Sequence, residues 1–127
     1  FCPYRFTEPV APLLAAASLG TEIDDRLLDE RCSRWKANCE YLIVETAGGL
    51  MSPLSQQRSN LQFAIDCGYP AIVVIENRLG AINQANLVCQ ALLHAGVRIQ
   101  LLVFNQIDAD VSSRIIESNI QLFRNFY

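Results

Sequence analysis

Glu45 and the glycine pair Gly48-Gly49 are residues whose types and spacing suit the chemistry of a metal-bound anion. Glu45 directly follows the apolar run at 41–44, and this pattern predicts a carboxylate at the end of a buried strand. Because ligands of open parallel sheets bind beyond the carboxyl ends of the strands, Glu45 is a candidate magnesium ligand. The glycines would let backbone N–H groups approach an anion. The alternative is a Glu45 that points to solvent and a plain tight turn.

A second candidate site lies where the apolar run at 71–75 passes through a short turn into a helix. The first N–H groups of a helix have no partner within it, and the helix dipole adds positive potential there. This turn would therefore hold a carboxylate or phosphate with the N–H groups of Gly80, Ala81, Ile82 and Asn83. The alternative is that Asn83 only caps the helix and Gly80 only forms the turn.

Asn105 and His94 are two further polar residues at the ends of predicted elements. Asn105 follows the run at 99–104, and its amide can donate to and accept from the edge of a nucleobase. Asparagine is also a common turn residue, which leaves a turn as the alternative. His94 has no Ser or Asp partner placed by the sequence, which favours an interaction with a helix C-terminus over catalysis.

The hydrophobic pattern predicts the elements that position these residues. Apolar runs at 41–44, 71–75 and 99–104 show no alternation, which is typical of strands covered on both faces. Each run is followed by a turn and by helical spacing, as in the βαβ units of a parallel sheet. The predicted helices span about 12–19, 25–37, 60–66, 82–94 and 111–123. The predicted fold class is therefore α/β, a parallel sheet with helices on both faces.

The predicted sheet is small for the apolar surface it carries. Three parallel strands would leave two open edges, so we expect upstream sequence or a partner chain to complete the sheet. The first residue is Phe1 rather than Met, which fits a longer chain. The 127 residues suffice for a single domain, 1–127, and are too few for two ordinary ones.

Composition excludes several classes of protein. Hydrophobic residues make up 51% and charged residues 18%, which is typical of a folded chain. The net charge of −3 and the lack of a basic stripe argue against nucleic acid, and no apolar run approaches the length of a membrane span. The five cysteines are an odd set without C-x-x-C spacing, which predicts reduced thiols in a cytoplasmic protein rather than a zinc knuckle.

The chain contains a single lysine, Lys36, and no phosphate-binding loop of the form G-x-x-x-x-G-K-[ST] or G-x-G-x-x-G. Without such a lysine the stretch does not neutralise the β- and γ-phosphates of a nucleotide in the usual way. We therefore expect this stretch to be catalytically incomplete by itself.

Four sequence blocks, in order and in register, resemble the dethiobiotin synthetase family. They read FTEP at 6–9 followed by AP at 11–12, VETAGG at 44–49 followed by PL at 53–54, RLGAIN at 78–83, and HAG at 94–96. The resemblance covers nearly the whole chain, less clearly at 113–127. It corresponds to the middle and later part of a longer domain whose nucleotide-binding loop precedes Phe1.

The resemblance implies a P-loop NTPase-like fold and a cytoplasmic homodimer. The implied reaction closes the diamine carboxylate 7,8-diaminononanoate into dethiobiotin with carbon dioxide, ATP and Mg²⁺, in biotin biosynthesis. Glu45 would hold the magnesium ion, and the Gly48-Gly49 backbone would lie beside the reacting groups. Asn105 would contact the adenine. The tail carboxylate of the substrate, from the neighbouring subunit, would bind the turn formed by Leu79, Gly80, Ala81, Ile82 and Asn83.

Three departures from the family pattern leave a second interpretation open. Thr46 replaces the first glycine of the usual E-G-A-G-G, the usual S-P-H reads Ala-Pro-Leu at 11–13, and 58–61 lacks the expected threonine and aspartate. These differences fit a noncatalytic regulatory or binding module, similar to the dethiobiotin synthetase-like domain of some phosphate acetyltransferases. The joint presence of Glu45, the turn at 79–83 and Asn105 favours the ATP-dependent enzyme.

Overall fold

A computed structural model describes residues 2–107 and 112–126 of the chain. These residues form two compact units, Phe1–Cys67 and Gly68–Tyr127. That the chain is one domain stays a prediction. The first unit holds α1 (Pro12–Ser18), α2 (Asp25–Lys36) and α3 (Asn60–Cys67), and the second holds β1 (Ala71–Glu76), α4 (Ala81–His94), β2 (Ile99–Asn105) and α5 (Ser113–Phe126).

All five predicted helices and two of the three predicted strands are present within a few residues of the predicted bounds. The predicted start of the last helix, Val111, lies outside the described residues. Local chemistry explains the helix ends. The Asp24 side chain accepts a hydrogen bond from the Arg26 N–H at 2.9 Å and so caps α2, while Pro12 opens α1, where its missing N–H costs nothing.

The sheet of the second unit consists of β1 and β2 in parallel, joined through α4. Val73 and Ile75 of β1 are buried, and α4 packs against this strand with its own buried side chains, Ala81, Ala85, Cys89 and Leu92. The opposite face of β1 is about half exposed at Ile72 and Val74.

The register of the two strands shifts at one point. Ala71 pairs with Ile99 and Ile72 pairs with Leu101, so β2 carries one extra residue, Gln100, at its beginning. Beyond this irregularity the strands stay in step, and Glu76 at the end of β1 stands opposite Asn105.

The strand predicted at 41–44 is wrong. Residues 41–46 form no strand, and the side chains of Tyr41 and Ile43 are 84% and 85% exposed. A strand exists only where its backbone groups pair with a neighbour, and within the described residues this stretch pairs with none. Glu45 therefore does not end a buried strand, although it still lies three residues before Gly48.

Candidate functional site

The glycine turn, residues 47–50, requires glycine at one position. Gly48 has φ +80°, a conformation that side-chain-bearing residues rarely adopt. A Cβ at this position would lie 3.0 Å from Ser52 Oγ, so the turn also lacks space for a side chain.

The N–H groups of the turn differ from the prediction. The Gly49 N–H donates to Ser52 Oγ at 3.1 Å, and the Ser52 N–H donates back to the Gly49 carbonyl at 2.9 Å. The Gly49 N–H is therefore engaged, contrary to its predicted availability to an anion. The Gly48 N–H has no partner among the described residues and remains available.

Glu45 is exposed two residues before this turn and has the chemistry of a magnesium ligand. Magnesium in nucleotide enzymes is held by one or two carboxylates, with the remaining positions filled by water and phosphate oxygens. Within residues 2–107 and 112–126 no three acidic, histidine or cysteine residues cluster into a metal-binding group. The donor set therefore fits a site in which Glu45 is one carboxylate ligand and the nucleotide supplies others.

Asn60, the first residue of α3, contacts the glycine turn directly. Its side-chain Nδ2 donates to the Ala47 carbonyl at 2.8 Å and to the Gly49 carbonyl at 2.9 Å. Asn60 is 2% exposed, whereas Ala47 and Gly49, which supply the two accepting carbonyls, are exposed. In the sequence this position stands out only as a departure from a family pattern, and no neighbouring residue indicates its contact with the turn.

The start of α4, in the second unit, holds the second group of predicted site residues. Gly80 caps the helix with φ +91°, and its carbonyl accepts from the Gln84 N–H at 3.2 Å. The Ala81 N–H donates to the Arg78 carbonyl at 3.0 Å, so the prediction that it is free is wrong. The N–H groups of Gly80, Ile82 and Asn83 have no partner in the part of the chain that the structure describes.

Asn83 does not cap the helix, because α4 begins at Ala81 and Asn83 is its third residue. The backbone conformation of Gly80 explains why the Ala81 N–H is bonded. The left-handed Gly80 turns the chain so that the Ala81 N–H points back at the Arg78 carbonyl.

Arg78 places a cation at this helix start and is not among the site residues predicted from the sequence. Its Nε donates to Glu76 Oε2 at 2.9 Å, and its side chain is about half exposed. Leu79, the next residue, is 80% exposed. Unpaired helix N–H groups beside a guanidinium suit a carboxylate, which can receive charge-assisted hydrogen bonds from both.

Asn105 joins this group of residues through the backbone. Its carbonyl accepts from the Asn77 N–H at 2.7 Å, and its side chain is exposed at the end of β2. The buried Asn119 of α5 donates to Asn77 Oδ1 at 2.8 Å and to the Arg78 carbonyl at 3.1 Å. The pair Asn77–Asn119 therefore fixes the ends of both strands and the turn that follows β1.

The structure thus forms two groups from the predicted site residues. Glu45, Gly48 and Gly49 lie together in the first unit, and Asn105 lies with the turn at 79–83 in the second. His94 lies in the last turn of α4, where its Nδ1 is 2.7 Å from the Gln90 carbonyl, in agreement with its predicted position at a helix end.

A buried cation links α2 and α3 in the first unit. Arg58 contacts Asp29 of α2 at 2.8 Å and Asp66 of α3 at 2.7 Å, and it lies 4.9 Å from the centre of the Phe63 ring. Burial alone would lower the pKa of Arg58, but the hydrogen bond and charge of Asp29, with the charge of Asp66, raise it. The guanidinium is therefore a permanent structural cation.

Cys32 of α2 and Cys67 of α3 are close enough for each thiol to influence the pKa of the other. Burial raises the pKa of both thiols, that of Cys67 to about 11. All five cysteines are free thiols. Because the thiolate is the nucleophile, this pair is chemically quiet near neutral pH.

Comparison with known proteins gives one family. A model described as an AAA domain matches residues 1–124. Similar proteins include the ATP-dependent dethiobiotin synthetases of Pseudescherichia vulneris, 36% identical over 105 residues, of Chlorobaculum tepidum, 32% over 105, and of Ralstonia nicotianae, 28% over 125. These alignments cover 83%, 83% and 98% of this chain, but 44%, 44% and 54% of the three relatives. The chain therefore spans about half the length of the curated relatives it matches.

Across the described residues, no helix combines the length and apolar character that a membrane crossing needs.

Proposed function

We propose that this chain, which belongs to the dethiobiotin synthetase-like family of AAA domains, is the part of an ATP-dependent dethiobiotin synthetase that binds the substrate tail and the metal ion. In this reaction one amine of 7,8-diaminononanoate takes up carbon dioxide as a carbamate, which ATP phosphorylates. The second amine then attacks the activated carbon, phosphate leaves, and the ring closes as dethiobiotin.

The start of α4 is the observation that carries this proposal. It presents the unpaired N–H groups of Gly80, Ile82 and Asn83 beside the half-exposed guanidinium of Arg78. An incoming carboxylate would accept hydrogen bonds from the helix start and share Arg78 with Glu76. A long substrate with a carboxylate at its tail would thus be oriented by a site made for one anion.

The nucleotide and its metal ion would bind at Glu45, the glycine turn and Asn105. Glu45 would be one ligand of the magnesium ion, and the glycine turn beside it would approach the reacting groups with backbone atoms only. When bound, the metal ion supplies positive charge that neutralises the phosphate oxygens of ATP. Asn105 would hydrogen-bond the adenine with its exposed amide.

The complete protein would be a homodimer in which the turn at 78–83 binds the substrate tail delivered from the neighbouring subunit. The exposed Leu79 at this turn and the half-exposed Ile72 and Val74 on β1 support an interface, because apolar surface of this kind is normally covered.

A noncatalytic binding module is the second candidate function. Two observations favour it: Thr46 stands where the resemblance calls for glycine, and the Gly49 N–H is engaged by Ser52. Such a module would bind the same ligands without closing the ring. ATP-dependent formation of dethiobiotin by the full-length protein separates the two functions.

Substitution of Gly80 tests the carboxylate site. Gly80→Val would force a β-branched residue to φ +91°, although no atom lies within 4 Å of the added Cβ. The helix start should therefore move by backbone strain, and affinity for 7,8-diaminononanoate should fall at least about tenfold while affinity for ATP holds. Isothermal titration of the full-length protein with each ligand measures both.

Gly96→Val is the matched control for this experiment. Gly96 follows the other end of α4, has φ +73°, and also has nothing within 4 Å of an added Cβ. The strain is similar, but the helix start is untouched, so both affinities should hold. If Gly80→Val weakened the binding of both ligands equally, or of ATP alone, this turn would be a nucleotide-binding site rather than the carboxylate site.

A further inference from the structure

Asn60 spans the glycine turn with a single amide group. Its Nδ2 donates one hydrogen bond to the Ala47 carbonyl and one to the Gly49 carbonyl, at 2.8 and 2.9 Å. These two carbonyls lie on either side of Gly48, the residue with φ +80°. Both hydrogens of the amide are therefore used to fix the turn.

The orientation of this amide follows from its contacts. Exchanging the nitrogen and oxygen of Asn60 would place Oδ1 against two carbonyl oxygens, and three acceptors cannot bond one another. In the present orientation Oδ1 is buried and has no partner among the described residues. A buried acceptor without a donor lowers stability. We therefore attribute to Asn60 the positioning of the turn rather than a net stabilisation of the core.

The backbone at the start of α3 adds two more bonds to the same segment. The Asn60 N–H donates to the Ser52 carbonyl at 3.1 Å, and the Leu61 N–H donates to the Leu50 carbonyl at 2.8 Å. Helix-start N–H groups that would otherwise lack partners are thus consumed by the segment at 50–52. The start of α3 and the glycine turn form one connected piece.

The two side-chain bonds determine where the N–H groups of the turn point. In a trans peptide the carbonyl and the N–H of one unit lie in a plane and point in opposite directions. Because Ala47 O and Gly49 O both point at Asn60, the N–H groups of Gly48 and Leu50 point away from it. Neither N–H has a partner in the described part of the chain.

We infer that Asn60 is a positioning residue that aims the N–H groups of Gly48 and Leu50 at an oxyanion of the reacting groups. The inference rests on the proposed function. The two N–H donors to the oxyanion are those of Gly48 and Leu50, because the Gly49 N–H already donates to Ser52. The oxyanion is a carbamate oxygen or an oxygen of the transferred phosphoryl group, both of which offer the same acceptor chemistry.

Substitution of Asn60 in the full-length protein tests the inference. Asn60→Leu keeps the number and branching of the side-chain heavy atoms, removes both donated bonds and also removes the unpaired Oδ1. Ala47 and Gly49 are exposed, so water can satisfy their carbonyls and the variant should fold. The turnover number should fall at least about tenfold, while the KM for 7,8-diaminononanoate, whose tail binds at α4, should hold.

Asn38→Leu is the control for the loss of an asparagine amide. Asn38 is exposed and donates its Nδ2 to the Arg34 carbonyl after the end of α2, so activity should be unchanged. An unchanged turnover number in folded Asn60→Leu would overturn the inference, as would an equal loss in Asn38→Leu.

Amide hydrogen exchange at Gly48 and Leu50 gives a readout independent of turnover and of whether Asn60→Leu folds. In the unmodified protein, exchange should slow when an anion accepts from these N–H groups. A nonhydrolysable ATP analogue alone and 7,8-diaminononanoate with bicarbonate distinguish a phosphoryl oxygen from a carbamate oxygen. No slowing with either ligand would refute the inference, whereas slowing in a protein that forms no dethiobiotin would refute only the proposed enzyme.

Discussion

At the scale of single residues, the two candidate groups would use different means to attract an anion under the proposed function. Glu45 would act through a bound metal ion, with the neighbouring turn offering backbone N–H groups. Arg78 and the start of α4 would act directly, through a guanidinium and unpaired helix N–H groups. This difference predicts that removal of the metal ion weakens anion binding at the first group and leaves anion binding at the second unchanged.

Glu45→Gln should therefore raise the magnesium concentration that gives half-maximal ring closure by about tenfold or more in the full-length protein. The amide keeps the shape of the side chain but removes the charge that a hard cation prefers. Glu40→Gln, five residues earlier and also exposed, is the matched control and should leave the magnesium dependence unchanged. Full activity of Glu45→Gln at limiting magnesium would show that Glu45 is not a ligand.

The rate at which the Cys67 thiol reacts with an alkylating reagent should depend on pH, because burial raises its pKa. Because its pKa is raised to about 11, its thiolate fraction, and with it the rate of alkylation by iodoacetamide, should grow about tenfold per pH unit from pH 8 to nearly 11. Peptide mass spectrometry of the alkylated protein measures this rate, with the exposed Cys2 as an internal reference. A rate for Cys67 that levels off below pH 9 would contradict the burial of this thiol.

At the scale of elements, α2 and α3 are joined by charge through Arg58. Arg58 is 8% exposed and contacts one carboxylate on each helix. Removing one carboxylate leaves a buried guanidinium with a single ionic partner. The junction of these helices is therefore more sensitive to a lost acid than an exposed helix surface would be.

Asp29→Ala should lower the free energy of unfolding by about 1–2 kcal/mol, because a charge-assisted hydrogen bond to a buried cation is lost. Glu30→Ala changes the next residue of the same helix, which is exposed, and should stay within about 0.5 kcal/mol of the unmodified protein. Urea titration followed by circular dichroism gives both values. Equal effects of the two substitutions would mean that Arg58 does not stabilise the junction through Asp29.

The elements also show which parts of the fold the sequence can predict. The helices were predictable because their signals are local: the apolar period of Ala85, Cys89 and Leu92, or the cap at Asp24. The strand at 41–44 was not, because strand formation depends on a neighbouring strand that an apolar run cannot supply by itself.

The candidate site shows the same division. Gly48 and Gly80 were predictable because glycine readily adopts the positive φ that such turns require. Asn60 and Arg58 were missed because their partners Ala47, Gly49 and Asp29 lie 11 to 29 residues away along the chain, within reach only after α2, the turn and α3 have come together. Nothing in the residue types near either position specifies those partners.

At the scale of the whole molecule, we expect the full-length protein to be a dimer whose interface includes the turn at 78–83. Leu79→Glu places a charge at the exposed tip of this turn and should weaken dimerisation at least about tenfold. Leu87→Glu is the control, since Leu87 is also exposed but lies in the middle of α4. Sedimentation equilibrium measures both, and a monomeric unmodified protein at micromolar concentration would exclude the dimer.

The extra residue in β2 has a consequence for how this protein tolerates changes in length. Gln100 is accommodated at the end of the strands opposite to Glu76 and Asn105, next to the connection from α4 to β2. An insertion or deletion in that connection can be taken up by the same irregularity, because the strands come into step only after it. The length of that connection can therefore vary while Glu76 and Asn105, at the opposite end of the strands, stay paired.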